Sequence, residues 1–517
     1  MAGSIAPWSD NLRYFTPGGF TLLAIAVLPL LFILQRLVFP KFDPREPPVL
    51  RSRIPVIGHL ISLATEKTGF YRRLYRDNSL PICTLPILNG KLYIINSPAL
   101  ISSAMRSKDI SFNPFALEFT VNGLGIPEKQ ARKYTQPDIW EEFFKIMHDS
   151  LVGENLDKMV TTGLSRLSSH LNDLQPGTTM EIPHILTWIR DLMFESIMKS
   201  LYGSTDPMTP EGMEKISEFE SKIAILALNL APKLLASRAI AARQRLMEII
   251  LPFYTAGNDR REDVSALIRG RAGLQRGIGM PEEAICKLEL ILPWAASTNT
   301  VPTTLWLLVH TLSQPKWAMR IRQEVEAIAI ITDKNAGARI ATINVSRFRK
   351  ECPALLSCYH ETNRLCNDGI GNRRVMRDTI LQDLVEGKDY LLTKGTNIQW
   401  CCSVTQLDEK VWGSKSNAFE PTRWINNPSK ENVYRKSMIP FGGGKVLCPG
   451  RHFAEAEILG FLSGLMLGFE VEGVQVPKME DPSVGSTIKM PVWDGMSPAI
   501  SIKRRQGWED VRLQFAV

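Results

Sequence analysis

The chemistry of this 517-residue chain is concentrated in one run, Phe441-Gly442-Gly443-Gly444-Lys445-Val446-Leu447-Cys448-Pro449-Gly450-Arg451. An aromatic residue, clustered glycines, one cysteine and a further glycine two residues on describe backbone wrapped tightly around a single sulfur. Glycines admit a flat, bulky partner because no Cβ blocks it. Gly450 leaves room for peptide N–H groups that Pro449 cannot itself supply. From Arg451 onward HFAEAEILGFLSGLML carries apolar residues at helical spacing, and a helix N-terminus just beyond Cys448 favours thiolate. A free thiol titrates at about 8.5 and a dipole contribution of about 1 kcal/mol closes only part of that gap, so a coordinated metal must complete the deprotonation. The run is built for one soft metal ligand.

A single thiolate axial ligand is the haem arrangement that favours O–O cleavage. A phosphate-binding loop is excluded, because Val446 follows Gly444-Lys445 and Ile439 stands where the first glycine is needed. No Cys-x-x-Cys occurs, which argues against zinc ribbons and covalently attached haem. A Gly-rich turn around a buried structural cysteine is the competing reading.

These residues resemble the cytochrome P450 family, whose haem loop reads Phe-x-x-Gly-x-Arg/His-x-Cys-x-Gly. Phe441, Gly444, Cys448 and Gly450 match, and Val446 stands where the family has a basic residue near a haem propionate. The resemblance implies haem b with Cys448 as axial iron ligand and Phe441, Gly442, Gly444, Lys445, Gly450 and Arg451 around it. Upstream, Glu361 and Arg364 lie three apart in the helix-like run ALLSCYHETNRLC, on one face. In the family this pair is buried and locked by a second arginine from a Phe-x-Pro-x-Arg segment, here Phe419 to Arg423, a structural role. Arg374, within Asn372-Arg373-Arg374, resembles the family's propionate-binding arginine, with a surface arginine as the other reading.

PEEAICKLELILPWAASTNTVPTTLWLLVHTLSQ predicts a helix of about 30 residues and about 45 Å. Pro302 cannot donate to the Thr298 carbonyl, so a kink is expected beside Ala296 to Thr300. The segment is similar to the family's Ala/Gly-Gly-x-Asp/Glu-Thr, where an acid–alcohol pair assists proton delivery to dioxygen. Asn299 replaces the acid and Thr300 is kept. An amide does not cycle a proton as a carboxyl does, so the resemblance assigns delivery to Thr300 and ordered water, beside Asn299. A plain buried helix with a satisfied Asn and Thr is the alternative.

The Asn-Thr-x-Pro variant, Cys-Pro-Gly-Arg and Val446 look more like the sterol 7α- and 12α-hydroxylase and prostacyclin synthase branch than a drug-metabolising one, as does the stretch from His148 to Leu156. The family's Trp-x-x-x-Arg haem contact is not readable, since Trp140 is followed four residues on by Phe144.

The elements that must position these residues are mostly helical. WEEFFKIMHDSLV, NLDKMVTTGLSRLSSHLNDL, ILTWIRDLMFESIMKSLYG, KISEFESKIAILALNLAPKLLA and SRAIAARQRLMEIILPFYTAG carry helical periodicity. LPICTLPILNGKLYIINS, with Asn89-Gly90 as a hairpin turn, and DYLLTKGTNIQW predict short strands. The expected fold class is mainly α with a small β portion, a cytochrome P450-like fold preceded by an N-terminal transmembrane helix. The uncharged run from Gly18 brackets the about 20 residues that span hydrocarbon. Arg36, Lys41, Arg45, Arg51 and Arg53 follow it, against Arg13 before it. The expected organisation is residues 1–17 as a short lumenal N-terminus, 18–39 as a transmembrane anchor, 40–58 as a Pro-rich hinge and 59–517 as a haem-thiolate catalytic domain. The expected address is the endoplasmic reticulum membrane, single-pass, with the catalytic domain in the cytosol. Eight cysteines without paired spacing agree with a reducing compartment.

A net charge of +8 without an aromatic-interleaved basic motif argues against nucleic acid and points to anionic lipid and an acidic electron donor. In the resembled family that donor is the NADPH–cytochrome P450 reductase, so NADPH acts indirectly, with docking near Lys445 and Arg451. The lipid bilayer and a hydrophobic small-molecule substrate complete the partners expected of a monomer. The expected activity is a monooxygenase inserting one oxygen atom from O2 into a sterol-, terpenoid- or alkaloid-like molecule of specialised biosynthesis. An isomerase or dehydratase working without reductase stays open, as does a haem-binding sensor or carrier; retained Thr300 favours the monooxygenase. Phe112, Phe115, Phe119, Val121, Leu226 and Leu230 are candidates for an apolar wall over the haem, ordinary core packing being the other account.

Overall fold

Prolines decide where the long apolar helix stops. The run expected as one rod forms three helices, Glu282–Glu289, Ile291–Thr298 and Thr300–Leu312. Pro293 offers no N–H to the carbonyl of Glu289 and Pro302 none to that of Thr298, four residues back in each case, and each break falls just there. The kink expected at Pro302 is thus a full interruption at Asn299.

The computed structural model describes residues 41–54, 57–88, 90–333, 339–425, 428–482 and 486–517. Around the interrupted helix pack Pro137–Ser150, Gly153–Asn172, Ile185–Tyr202, Ser237–Thr255, Ala266–Gly277, Pro315–Ile328, Pro353–Cys366 and Arg451–Gly468. Ile185–Tyr202 and Arg451–Gly468 are apolar on most sides and accordingly lie in the interior. Ile189, Ile197, Leu305, Ile321, Leu355, Phe461 and Leu465 form one continuous core through them. The stretch KISEFESKIAILALNLAPKLLA, expected as one helix, is divided into the end of Pro210–Glu220, Ile223–Ala227 and Pro232–Leu235. Asn229 and Ala231 take positive φ, 53° and 41°, which ends helical pairing before Pro232 starts a new turn.

The principal sheet orders its strands Ile82–Ile87, Gly90–Ile95, Asn397–Cys401, Ile370–Val375 and Ile110–Ser111. In the first hairpin Ile87 faces Gly90, so Gly90 already belongs to the strand; Asn89, expected in the turn, lies outside the described residues. Asn397–Cys401 runs parallel to Gly90–Ile95 and antiparallel to Ile370–Val375. The strands predicted in DYLLTKGTNIQW are Lys388–Leu392 and Asn397–Cys401, of which the first pairs with Thr379–Asp383 as a separate hairpin. Part of the expected hinge is docked on the sheet. The Leu50 N–H donates to the Thr84 carbonyl at 2.9 Å, and buried Glu46 accepts from Lys91 and from the Tyr93 hydroxyl, each at 2.6 Å.

The anchor expected at residues 18–39 lies outside the described residues. Among the described residues no helix is long and apolar enough to cross a membrane: the most apolar stretch is cut by Pro293 and Pro302, and the 20-residue Gly153–Asn172 helix carries charges on one side. Over the described residues the fold class is therefore corrected to the helix-rich domain with its small sheets, with no membrane-spanning helix among them. The lipid-bilayer partner and the single-pass endoplasmic reticulum address expected with it are withdrawn.

One buried acid sets a pH dependence of stability. Glu457 lies where Arg451–Gly468 crosses Gly153–Asn172 and Ile185–Tyr202, and the Ser196 hydroxyl donates to it at 2.8 Å. A Cβ on Gly163 would stand 2.6 Å from its Oε1, so glycine is what lets the helices close over the carboxyl. Burial pushes that carboxyl from 4.5 up to about 8. Between those values the folded chain holds a proton that the unfolded chain releases, so stability is fullest below the lower value and falls as pH rises, by about 1.4 kcal/mol per unit. Glu457→Gln is expected to flatten this slope, read as thermal midpoints across the interval from about pH 5 to about pH 8.

Candidate functional site

The loop before Arg451–Gly468 is closed by its own backbone. The Cys448 N–H donates to the Phe441 carbonyl at 3.0 Å, Gly442 N–H to Ile439 at 3.1 Å and Leu447 N–H to Gly444 at 3.2 Å. Gly442 and Gly444 take φ of 71° and 66°. At Gly444 a Cβ would stand 2.4 Å from the Met105 carbonyl oxygen, so the loop sits directly on the end of Pro98–Arg106. Seven of the eight free cysteines are buried and Cys448 alone is half-buried. Burial raises thiols such as Cys83 and Cys286 to about 12. At Cys448 burial also raises the pKa, but the Gly450 N–H, the Arg451 charge and the Arg451 N–H act against it. Burial wins on balance, so the protein alone holds this sulfur as a thiol, and the opposing N–H groups and charge are the ones that would stabilise it once a metal takes the proton's place. The Arg451 guanidinium donates to the Cys448 carbonyl at 2.9 Å, Lys445 is exposed and Phe441 is half-buried. Among the described residues no group of three or more His, Cys, Asp or Glu converges as a cage.

Glu361 and Arg364, on Pro353–Cys366, are both fully buried and form a two-pronged ion pair at 2.7 and 2.9 Å. Arg364 also donates to the carbonyls of Gln406, Ser416 and Ala418 and lies 4.9 Å over the Trp412 ring. Glu361 accepts from Arg423 at 3.3 Å, from the Trp424 indole at 2.9 Å and from the Glu420 N–H at 3.0 Å. The sequence brings these three charges together as one satisfied cluster, which a buried pair requires.

At the helix interruption the Thr300 hydroxyl donates to the Ala296 carbonyl at 2.7 Å. Asn299, in the position of the family's acid, accepts from the Thr487 hydroxyl at 2.6 Å. Its oxygen is thereby turned to the Ser486–Lys489 stretch. Of the expected wall, Phe119 stacks on Trp294 at 5.7 Å and Leu226 is buried, whereas Leu230 is 53% exposed and does not join it. Trp140 packs edge-on against Phe144 at 5.2 Å in an aromatic cluster with Tyr134 and Phe143.

Adjacent strand residues point to opposite faces, and this separates the two neighbouring arginines. Arg374 is spent: it pairs with Glu118 at 2.7 Å, donates to Asn397 and covers Phe115. Arg373 is 7% exposed and sits over the rings of Trp400, at 5.2 Å, and Phe112, at 5.5 Å. Its one hydrogen bond among the described residues goes to the Asn372 carbonyl, and no carboxylate stands within ion-pair reach. Desolvation pulls its pKa down to about 10. Trp400 shares an apolar cluster with Met105 and Ile439, and Met105 touches the glycines of the cysteine loop. Arg373 was not singled out by sequence; its only signal there is adjacency to Arg374.

The cytochrome P450 family model matches residues 47–492. The chain belongs to the cytochrome P450 family. It is 31% identical over 504 residues to a cytochrome P450 monooxygenase of Gibberella zeae, covering 95% of each chain. It is 28% identical to cytochrome P450 monooxygenase nodJ of Hypoxylon pulicicidum, over 92% of this chain and 93% of that one. A retinoic acid-bound cyanobacterial P450, CYP120A1, shares the fold with a TM-score of 0.68 at 17% identity, over 90% of this chain and all of that one. The chain is a P450 monooxygenase enzyme. The 25-hydroxycholesterol 7-alpha-hydroxylase of Rattus norvegicus is 22% identical over 71% of this chain and 89% of its own. The fungal relatives are the more similar, so the sterol hydroxylase and prostacyclin synthase branch is not singled out.

Family membership implies a cysteine-bound haem, and the residues fit one. A buried guanidinium without a counter-anion calls for a carboxylate, and Arg373 is such a guanidinium, linked to the cysteine loop through the cluster that holds Trp400 and Met105. A half-buried sulfur facing peptide N–H groups suits a coordinated thiolate.

Proposed function

We propose that this P450 inserts one oxygen atom into an apolar small molecule, with Cys448 as the residue that would hold the haem iron and electrons delivered from NADPH by a flavin-bearing reductase. The observation that carries this reading is the Cys448 loop, where one sulfur outside the buried set meets two N–H groups and a cation at a helix start. Bound haem supplies dioxygen activation. The Gly450 and Arg451 N–H groups would hold the negative sulfur, Phe441 would screen it from water, and Arg373 would take a haem carboxylate, since Arg374 is occupied by Glu118. The Thr300 hydroxyl, whose one partner among the described residues is the Ala296 carbonyl, would turn to hold a proton in the substrate space, and Asn299 fixes the adjoining backbone through Thr487. Lys445 and Arg451 border the face on which an acidic donor would be steered. The sterol-, terpenoid- or alkaloid-like class, in a biosynthetic setting, is supported by the apolar wall of Phe119 and Leu226 and by the monooxygenase relatives. The catalytic domain is proposed to run from residue 59 to 517.

Product formation is expected to need both NADPH and reductase; equal turnover without them would replace oxygen insertion by an isomerase or dehydratase. Thr300→Val is expected to lower turnover by roughly 10²-fold while NADPH oxidation continues, read as product formed per NADPH consumed. Arg373→Leu is expected to weaken haem retention by roughly 30-fold, in keeping with loss of a buried charge partner. Arg374→Leu should leave it nearly unchanged. Haem transfer to apomyoglobin measures both, and the reverse order would return the role to Arg374.

A further inference from the structure

The Ile291–Thr298 helix carries a second polar group on another face. The Thr298 hydroxyl donates to Glu220 Oε2 at 3.1 Å, and Glu220 is the last residue of Pro210–Glu220. Among the described residues this is its one hydrogen bond, and no Lys, Arg or His stands within ion-pair reach. A carboxylate offers about four acceptor sites, so most of its capacity is unspent. Desolvation pushes this carboxyl above its ordinary range, as burial of an acid without a cation does.

Helical spacing puts Trp294 and Ala295, four and three residues back, on the side that Thr298 faces. The Trp294 indole N–H is buried without an acceptor. Ala295 is exposed, although Pro293 and Ser297 on either side are buried and Trp294 stacks on Phe119. Exposed Ala295 thus lies beside the Trp294–Phe119 stack, with the half-buried Glu220 carboxyl and the buried, unpartnered Trp294 indole N–H on the same side of the helix. Ala296, round the same helix, and Thr300, at the start of the next, lie on the flank assigned to oxygen chemistry.

We propose that Glu220 anchors the substrate by accepting a hydrogen bond from a hydroxyl or ammonium group on an otherwise apolar molecule, which extends from there toward Ala296 and Thr300. This assignment deepens the haem-thiolate reading above and rests on it. Apolar surroundings disfavour a polar molecule, and an unpaired acid disfavours one with no donor. The anchor thus selects for a single donor at one end.

The test uses the haem-loaded full chain and spin-state titrations with matched ligands. Terpenoid and steroid alcohols are compared with their methyl ethers, and dimethylamino derivatives with the isopropyl compounds of the same shape. The wild type is expected to prefer the donor-bearing member of a pair by about tenfold or more, one well-placed hydrogen bond to a charged group. Glu220→Leu should erase the preference. Glu220→Gln should keep it for an alcohol, which an amide oxygen still accepts, and lose it for an amine; these two results tell hydroxyl from ammonium. Equal affinity within every pair in the wild type, or a preference that survives in Glu220→Leu, overturns the proposal. The carbon-monoxide band of each variant reports whether the haem site is intact, and Glu220→Gln serves should Glu220→Leu not load. A wild type without the thiolate-type band sinks the haem-thiolate reading and the anchor with it, whereas a normal band with no donor preference sinks the anchor alone.

Discussion

Cys448→Ala is expected to abolish the thiolate-type Soret band of the ferrous carbon-monoxide complex and all oxygen insertion. The residue has no substitute nearby. The other seven cysteines are buried, and thiols such as Cys83 and Cys286 are held protonated by desolvation, while His452 and Glu455 lie on the following helix without converging with a third ligand. Removal of the sulfur also leaves the Gly450 and Arg451 N–H groups facing a void. Cys448→Ser separates these effects, because a hydroxyl keeps the loop filled but is a poor iron donor. It should fold with a normal thermal midpoint yet lack the band. A variant without this sulfur that retains the band and turnover would overturn the assignment.

Glu361→Ala or Arg364→Ala is expected to yield chain that does not retain haem. Each removal strands a buried charge, at a cost of about 3–5 kcal/mol, against a total stability of about 5–15 kcal/mol for an ordinary domain. Arg364→Ala also leaves the carbonyls of Gln406, Ser416 and Ala418 without their donor, and these belong to the stretch leading toward the cysteine loop. Arg423→Ala should be milder. Its bond to Glu361 is longer, at 3.3 Å, and of its other two acceptors, the carbonyls of Trp412 and Lys415, the second is exposed to water. Haem content after purification and urea midpoints check the order; normal haem in Arg364→Ala would show that the cluster does not hold the site.

Local chemistry was legible in the sequence where one residue type has few uses. Gly444, Cys448 and Gly450 at their spacing indicated a loop around sulfur, and Pro302 located a helix defect because a missing N–H acts four residues back regardless of context. Positions that depend on register were not legible. Arg373 and Arg374 differ only in which strand face they take, and that is decided by the pairing of Ile398 opposite Arg373. Glu220 and Thr298 are separated by 78 residues, and no local pattern announces that two helices will bring them together. The short strands at Thr179–Ile182 and Phe469–Glu472 were missed for the same reason, since each becomes a strand only by pairing with Ile500–Arg504. Leu230 looked like wall by composition but follows Asn229, whose positive φ carries the chain outward.

The central strand of the principal sheet has a consequence for biogenesis. Asn397–Cys401 fits between Gly90–Ile95 and Ile370–Val375, so the early hairpin emerges from the ribosome roughly 300 residues before its neighbour exists. At about 5–20 residues per second, an unpaired edge bearing Tyr93, Ile94 and Ile95 waits tens of seconds in the open. Slower growth temperature or chaperone co-expression should raise the soluble yield more than added haem precursor does.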